Sequence, residues 1–390
     1  MTLITETSAL AELCARLAHE PFICVDTEFM RENTYWPKLC LVQIAGPDGV
    51  GSAVDPLAEG ISLEPMIELL NMPNVLKVLH AARQDLEIFY NISGGTVPTP
   101  LFDTQVAAMV CGFGEAASYD RLARKLARAD VDKASRFTDW SKRPLTDRQL
   151  TYALADVEHL PVIYQKLEKR LGETRRGDWV AQELAVLTAT DSYELDPRRS
   201  WTRIKTRTAR PRFLAVLREI AAARELFAQK TNVPRNRIIR DEALLEIAAH
   251  ETETVENLTR IRGVSKGLAA GSFGTAVLEA VSVGKAIPEN EAPKPNKAAD
   301  TPRGVGPLVD LLKVLLKMRC EENDVAIKLV ANTADLERIA ADDRADVRAM
   351  SGWRRSLFGD DALALKHGAL ALTAEHGKIA LVELEGSLSD

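Results

Sequence analysis

Motifs built on cysteine and histidine are missing from this chain. Its five cysteines, Cys14, Cys24, Cys40, Cys111 and Cys320, are scattered, odd in number and include no C-x-x-C pair. That argues against zinc sites and a disulfide framework, and for reduced, buried thiols in a cytoplasm. The six histidines form no H-E-x-x-H pattern. No apolar run has the length needed to cross a bilayer. The stretch from Met1 to Glu20 is interrupted by Glu6, Glu12 and Arg16, so no signal peptide is expected and the expected localisation is cytoplasmic, with no membrane partner. Gly46, Gly49 and Gly51 lie close together without forming a dinucleotide fingerprint, and no G-x-x-x-x-G-K-[ST] loop occurs. A nucleotide cofactor and intrinsic ATP-driven unwinding are both excluded on that ground.

What is present is an ordinary globular composition: 390 residues, 46% hydrophobic and 27% charged, enough for two or three domains with cores of their own. The net charge of −6 looks unsuited to nucleic acid, but distribution matters more than the sum. Arg198, Arg199, Arg203, Lys205, Arg207, Arg210 and Arg212 follow one another with no acid among them, and Trp201 lies inside the run. Such a run suits phosphate contact and base stacking. It equally suits a solvated connector that packs its tryptophan.

Carboxylates recur in the first 160 residues at positions where an α/β domain could converge them. Phe22 to Val25 reads as a strand buried on both faces, and Asp26 and Glu28 beyond it share one side because strand side chains alternate. A second apolar strand, Val75 to Leu79, leads through His80 into a helix with Asp85. Leu150 to Leu167 reads as helical, with Tyr152 and Asp156 on one face at i and i+4. A hairpin is expected over 38–55, around the turn Pro47-Asp48-Gly49. Helices are expected near 63–71, 81–91, 103–112, 119–128 and 146–170. Crowded acids repel unless cations neutralise them, and the oxygen donors favour Mg²⁺ or Mn²⁺. Two such ions suit phosphodiester hydrolysis.

The segments Val25-Asp26-Thr27-Glu28-Phe29, His80-Ala81-Ala82-Arg83-Gln84-Asp85 and Tyr152-Ala153-Leu154-Ala155-Asp156-Val157 together resemble the DEDD family of 3′-to-5′ exonucleases, in its tyrosine branch. Phe102-Asp103-Thr104, Thr138-Asp139-Trp140 and Arg143-Pro144-Leu145 are similar to the ribonuclease D subfamily in particular. The resemblance implies a ribonuclease H-like fold over the first 170 residues or so and an exoribonuclease that releases nucleoside 5′-monophosphates. It also implies a role for each acid. Asp26 would bridge two divalent cations, Glu28 and Asp156 would complete the ion that activates water, and Asp85 would support the other through water. Tyr152, whose phenol has a reference pKa of about 10, would orient the attacking water rather than deprotonate it. The implied substrate is RNA with a free 3′ end, transfer-RNA precursors by family analogy, bound by a monomer.

The C-terminal part repeats itself. Asn232 to Ala248 aligns without a gap on Asp324 to Ala340 at an offset of 92 residues, each segment after an apolar helix. Both copies resemble the helical HRDC nucleic-acid-binding module; the second lacks the proline of Asn232-Val233-Pro234 and has diverged. Residues 285–302 carry Pro288, Pro293, Pro295 and Pro302 among polar residues and read as a linker. The expected architecture is an α/β ribonuclease H-like exonuclease domain at 1–172, a connector at 173–206, an all-α HRDC domain at 207–285, a linker at 286–302 and a second all-α HRDC-like domain at 303–390. The tail is expected to add RNA affinity without taking part in chemistry.

Substrate contacts are less determined. Phe29 and Met30, with Tyr35 and Trp36, are candidates to stack on terminal bases or to form a lid. His80 could donate to substrate or cap a helix. Arg203, Lys205 and Arg207, with Lys142 and Arg143, could face phosphates. Two other readings fit the same residues: a DNA 3′-5′ exonuclease, since the metal chemistry is indifferent to the sugar, and a non-catalytic RNA-binding protein.

Overall fold

The computed structural model describes residues 2–132, 135, 137–294 and 304–384. Six strands, β1 (Thr2–Ile4), β2 (Phe22–Met30), β3 (Lys38–Ala45), β4 (Gly51–Val54), β5 (Leu76–Leu79) and β6 (Leu101–Asp103), form one mixed sheet in the order β1-β4-β3-β2-β5-β6. The hairpin partner β3 is antiparallel to both β2 and β4, while β2-β5, β5-β6 and β1-β4 are parallel. The sheet is covered by helices on both faces, as the run of fully buried residues in β2 requires.

Alternation in β2 sorts its side chains. Ile23 and Val25 join a core with α1 (Thr7–Leu17), α2 (Glu64–Leu70) and α3 (Arg83–Ile92). Phe22 and Cys24 point the other way, to Val157, Leu160 and Tyr164. Those three residues belong to α6 (Asp147–Glu158) and α7 (Leu160–Thr174), which come after α4 (Thr104–Val110) and α5 (Tyr119–Leu122). The sequence predicts a single helix over 146–170; the structure breaks it at His159. Pro161, in the first turn of α7, has no N–H to give to the preceding turn, so the chain restarts there.

The last half is helical, with one addition. The first unit comprises α9 (Pro211–Thr231), α10 (Arg235–Ile238), α11 (Asp241–His250), α12 (Val255–Arg260), α13 (Lys266–Ala270) and α14 (Ser272–Ala286), following α8 (Gly177–Thr188). Its core includes Trp201 and Ile204, so a segment expected as connector is part of this unit and Trp201 is packed rather than offered to bases. Helices α9 and α14 touch at Gly284, where a Cβ would come within 2.5 Å of the Val216 backbone. The second unit comprises α15 (Gly306–Glu322), α16 (Ile327–Val330), α17 (Thr333–Ala341), α18 (Gly352–Arg354) and α19 (Asp360–Lys366). It ends in a hairpin, β7 (Leu370–Glu375) and β8 (Lys378–Glu383), added to the all-α layout that the sequence suggests. Of the expected linker, residues 295–302 lie outside those described.

The offset of 92 holds in three dimensions. Asn232 and Asp324 both adopt left-handed backbone, with φ of 52° and 49°, and α10 and α16 begin 92 residues apart, as do α11 and α17. The two copies pack differently. The first has its own core. The second shares one with the catalytic domain, joining Leu312, Leu315, Leu329 and Trp353 to Ala107, Val110, Ile163 and Leu167. The Ala326 N–H donates to the Met109 carbonyl (3.0 Å), Trp353 stacks on Trp179 at 4.3 Å, and buried Arg354 pairs with Glu183. The second copy is thus packed into the catalytic body, whereas the first is a unit with a core of its own.

Candidate active site

The parity that sends Phe22 and Cys24 toward α6 continues to Asp26 and Glu28. Helix α6 brings Asp156 to meet them; it is started by a reciprocal capping box between Thr146 and Gln149. Carboxylate oxygens of Asp26, Glu28 and Asp156 all lie within 4.8 Å of one another. Burial, then Asp156, Asp85 and Glu28 in turn, push the Asp26 carboxyl well above the usual carboxylate range. An oxygen-only donor set with this much unrelieved negative charge fits a hard divalent cation. Immediately after Glu28 the β2-β3 register shifts, a bulge that bends the strand beyond the acids.

Asp85 arrives from the opposite side of the sheet, in the first turn of α3. Thr27, with the parity of Ile23 and Val25, meets it: the Thr27 hydroxyl donates to the Asp85 carboxylate. Burial raises Asp85 to about 7, with the Thr27 hydroxyl opposing. Asp85 is not within the trio of close oxygens among the described residues. Its approach is fixed by a residue whose role the sequence left unread. Asp103 accepts from four backbone N–H groups, Ala81 (3.1 Å), Ala82 (2.9 Å), Gln105 (2.8 Å) and Val106 (3.3 Å). It therefore caps α4 and also holds the turn into α3, where Ala81 has φ 57°. His80 in that turn has Nδ1 3.0 Å from the Thr104 hydroxyl and its ring edge-on to Tyr119. Burial lowers its pKa, against Asp103 and Asp120, and the Thr104 hydroxyl and Tyr119 tether the ring.

Tyr152 stands one helical turn before Asp156, its ring 6.0 Å from that of buried Trp140. Arg143 is fully engaged in structure: its guanidinium takes both oxygens of Asp55 (2.5 Å each) and the carbonyls of Cys40 and Trp140. It braces Asp55 against the Cys40 and Trp140 backbone. Tyr119, unnoticed in the sequence, donates to the Ala155 carbonyl (2.6 Å) beside Asp156.

Asp26, Glu28, Asp85, Tyr152 and Asp156 line a cleft of about 760 Å³ that also includes Phe29, Met30 and His80. Phe137, 92% exposed, stands at its edge; nothing in its local sequence marked it. The structure brings together Asp26, Glu28, Asp85, Tyr152, Asp156, Phe29, Met30 and His80. It places Arg203 in an adjoining cavity, whereas Lys205 and Arg207 line neither hollow. Tyr35 and Trp36 turn from the cleft to the first helical unit: Tyr35 donates to Glu225 (2.5 Å), and the Trp36 N–H to Asn232 (3.0 Å).

Residues 1–172 match the family model described as 3′-5′ exonuclease, and residues 213–281 match the HRDC domain. The chain is 50% identical over 383 residues to a ribonuclease D of Nitrobacter hamburgensis, covering 98% of this chain and all of that protein. It is 52% identical over 377 residues to one of Gluconacetobacter diazotrophicus, covering 97% and 95%. Among solved structures it resembles Escherichia coli RNase D, described as an exoribonuclease involved in structured RNA processing, with a TM-score of 0.79 and 28% identity over 93% of this chain and 98% of that one. No helix among the described residues is long and apolar enough to cross a membrane.

Proposed function

The chain belongs to the ribonuclease D family of 3′-5′ exoribonucleases, and from that premise we propose that Asp26, Glu28, Asp85, Asp156 and Tyr152 carry the hydrolysis. The supporting observation is the convergence of three carboxylates from β2 and α6 within 4.8 Å, with a fourth held nearby through Thr27. Asp26, Glu28 and Asp156, with Asp85 nearby, would hold a hard divalent cation such as Mg²⁺ or Mn²⁺ through their carboxylate oxygens. When bound, such ions lower the pKa of water and stabilise charge on the phosphate and the leaving oxygen.

The protein's own part is positional. Asp26, Glu28 and Asp156 present a fixed negative cradle on rigid elements. Tyr152 offers a phenol, held against Trp140, that hydrogen-bonds to the water attacking the terminal phosphodiester. Phe29 and Met30, placed past the bulge, face the terminal nucleotides. The substrate we infer is the 3′ trailer of transfer-RNA precursors, a structured RNA of the kind that Escherichia coli RNase D is described as processing; the products are nucleoside 5′-monophosphates.

The test is digestion of 5′- and 3′-labelled single-stranded RNA with and without EDTA. The 3′ label is expected to leave first as a mononucleotide and EDTA to stop the reaction; full activity in excess EDTA overturns the reading. Asp26→Asn is expected to abolish most turnover while the fold persists. Tyr152→Phe is expected to retain metal binding and lose about 10²-fold in rate. A transfer-RNA precursor trimmed no faster than an unrelated RNA of equal length would remove the substrate assignment.

A further inference from the structure

A second hollow, of about 350 Å³, lies between the catalytic domain and the first helical unit. Its walls carry four guanidinium groups, Arg31, Arg83, Arg203 and Arg235, and a single carboxylate, Glu87. In a chain of net charge −6 this is a marked local excess of positive charge. The charges come from separate parts of the sequence: the loop after β2, the start of α3, the segment before α9, and α10. Arg31 is committed to Glu87 through two bonds of 2.9 and 2.7 Å, and Arg235 to Glu225 at 3.3 Å. Arg83 lies over the Tyr193 ring at 5.8 Å. Both Arg83 and Arg203 are exposed, and neither is in an ion pair with a described carboxylate.

Arg31 lines the acidic cleft as well as this hollow, so the two adjoin. A strand with its 3′ end among the carboxylates must leave the cleft on its 5′ side, and a neighbouring wall of planar, forked donors is what phosphodiesters select. The ring of Tyr193 beside Arg83 adds a face for an unpaired base.

We propose that this arginine cavity is an upstream subsite, which holds phosphates of the RNA strand 5′ to the nucleotides in the cleft, with Arg83 and Arg203 as its principal ligands. The proposal rests on the exoribonuclease reading above. It makes the first helical unit a wall of the substrate path, since Arg235 and the docked loop at Tyr35 close the cavity.

The experiment uses the full chain carrying Asp26→Asn, so that RNA stays intact. It compares binding of a trinucleotide with that of a fifteen-nucleotide single strand over a range of salt. Adding Arg83→Gln and Arg203→Gln is expected to weaken the long strand roughly tenfold. The slope of log affinity against log salt should fall by roughly 1.4, two single-strand phosphate contacts. The trinucleotide is expected to lose much less. Arg→Lys at both positions should restore the salt slope and only part of the affinity. Equal losses on both RNAs would mean that the arginines act within the cleft, and an unchanged long strand would mean that RNA takes another path; either result overturns the subsite. Failure of the underlying reading is seen separately, as a protein with Asp26 and all arginines intact that shortens neither RNA.

Discussion

The two helical units share the placement of α10 and α11 with α16 and α17 and differ in what they touch. At the same offset of 92, Arg235 and Arg237 of α10 correspond to Ile327 and Leu329 of α16. In the first unit that short helix turns its cations to the arginine cavity and to solvent. In the second it turns apolar side chains into a core shared with α4 and α7. Two side-chain differences on this one helical turn accompany the change from a wall of a binding cavity to a part of the catalytic body. Leu312, Trp353 and Arg354 add further contacts to that body.

The strongest way to break this contrast is to remove the second unit. A chain ending at residue 294 is expected to lose soluble, active protein, because Ala107, Val110, Ile163 and Leu167 lose their cover. If that fragment folded and hydrolysed RNA at the full rate, the shared core would be dispensable. Leu329→Arg, which copies the first unit into the second, is expected to cost about 3–5 kcal/mol, as an unpaired buried charge does. The reciprocal Arg237→Leu, on an exposed side chain, should change stability by no more than about 0.5 kcal/mol. Urea melts of the two variants measure both.

Smaller effects sharpen the contrast. Tyr35→Phe removes the hydroxyl that binds Glu225, a carboxylate only 2% exposed, and a bond to a charged group contributes about 1.5–3 kcal/mol. The expected result is faster amide exchange across α9 to α14 with the catalytic body unchanged; uniform protection would show that this contact does not hold the unit.

The smallest effect concerns pH. Burial pushes Cys111 up to about 11 and Cys320 to about 12, from about 8.5 in an unfolded chain. A raised folded pKa gives stability that is complete below about 8.5 and is lost as pH climbs toward the folded values. Lys77 works in the opposite sense, lowered by burial to about 8, but it is one group against these thiols and Cys14, also raised to about 11. Residues 207–285 contain neither cysteine nor tyrosine. Between pH 8 and 10 the catalytic body should therefore weaken while the first unit does not, as read by urea melts on the fluorescence of Trp353 and of Trp201.

The acids were legible because their spacing follows the geometry of the elements that bear them. Asp26 and Glu28 obey the strand period, and Tyr152 and Asp156 the helical one. The repeat was legible because an ungapped offset needs no knowledge of packing. What stayed hidden depends on pairs distant in sequence. Asp103 gives no local sign that it will bind Ala81 and Ala82, and Thr27 looks like filler between two acids until α3 brings Asp85 to it. Trp201 among arginines suited both stacking and packing, and only the neighbouring helices decide between them by placing it in a core. The role of the second unit was unreadable for the same reason, since its apolar residues promise burial without naming the surface that buries them.

Because the second unit is locked into the catalytic body, the first is tethered at both of its ends. It precedes that anchored segment and follows α8, whose chain contacts the same body. Its docking through Tyr35, Trp36 and Asn232 is then an intramolecular event, favoured by an effective concentration on the order of millimolar for a short tether. A contact far too weak to hold two separate proteins together suffices here. The covalent connection thus keeps the wall of the arginine cavity beside the catalytic body whatever the strength of the contact itself.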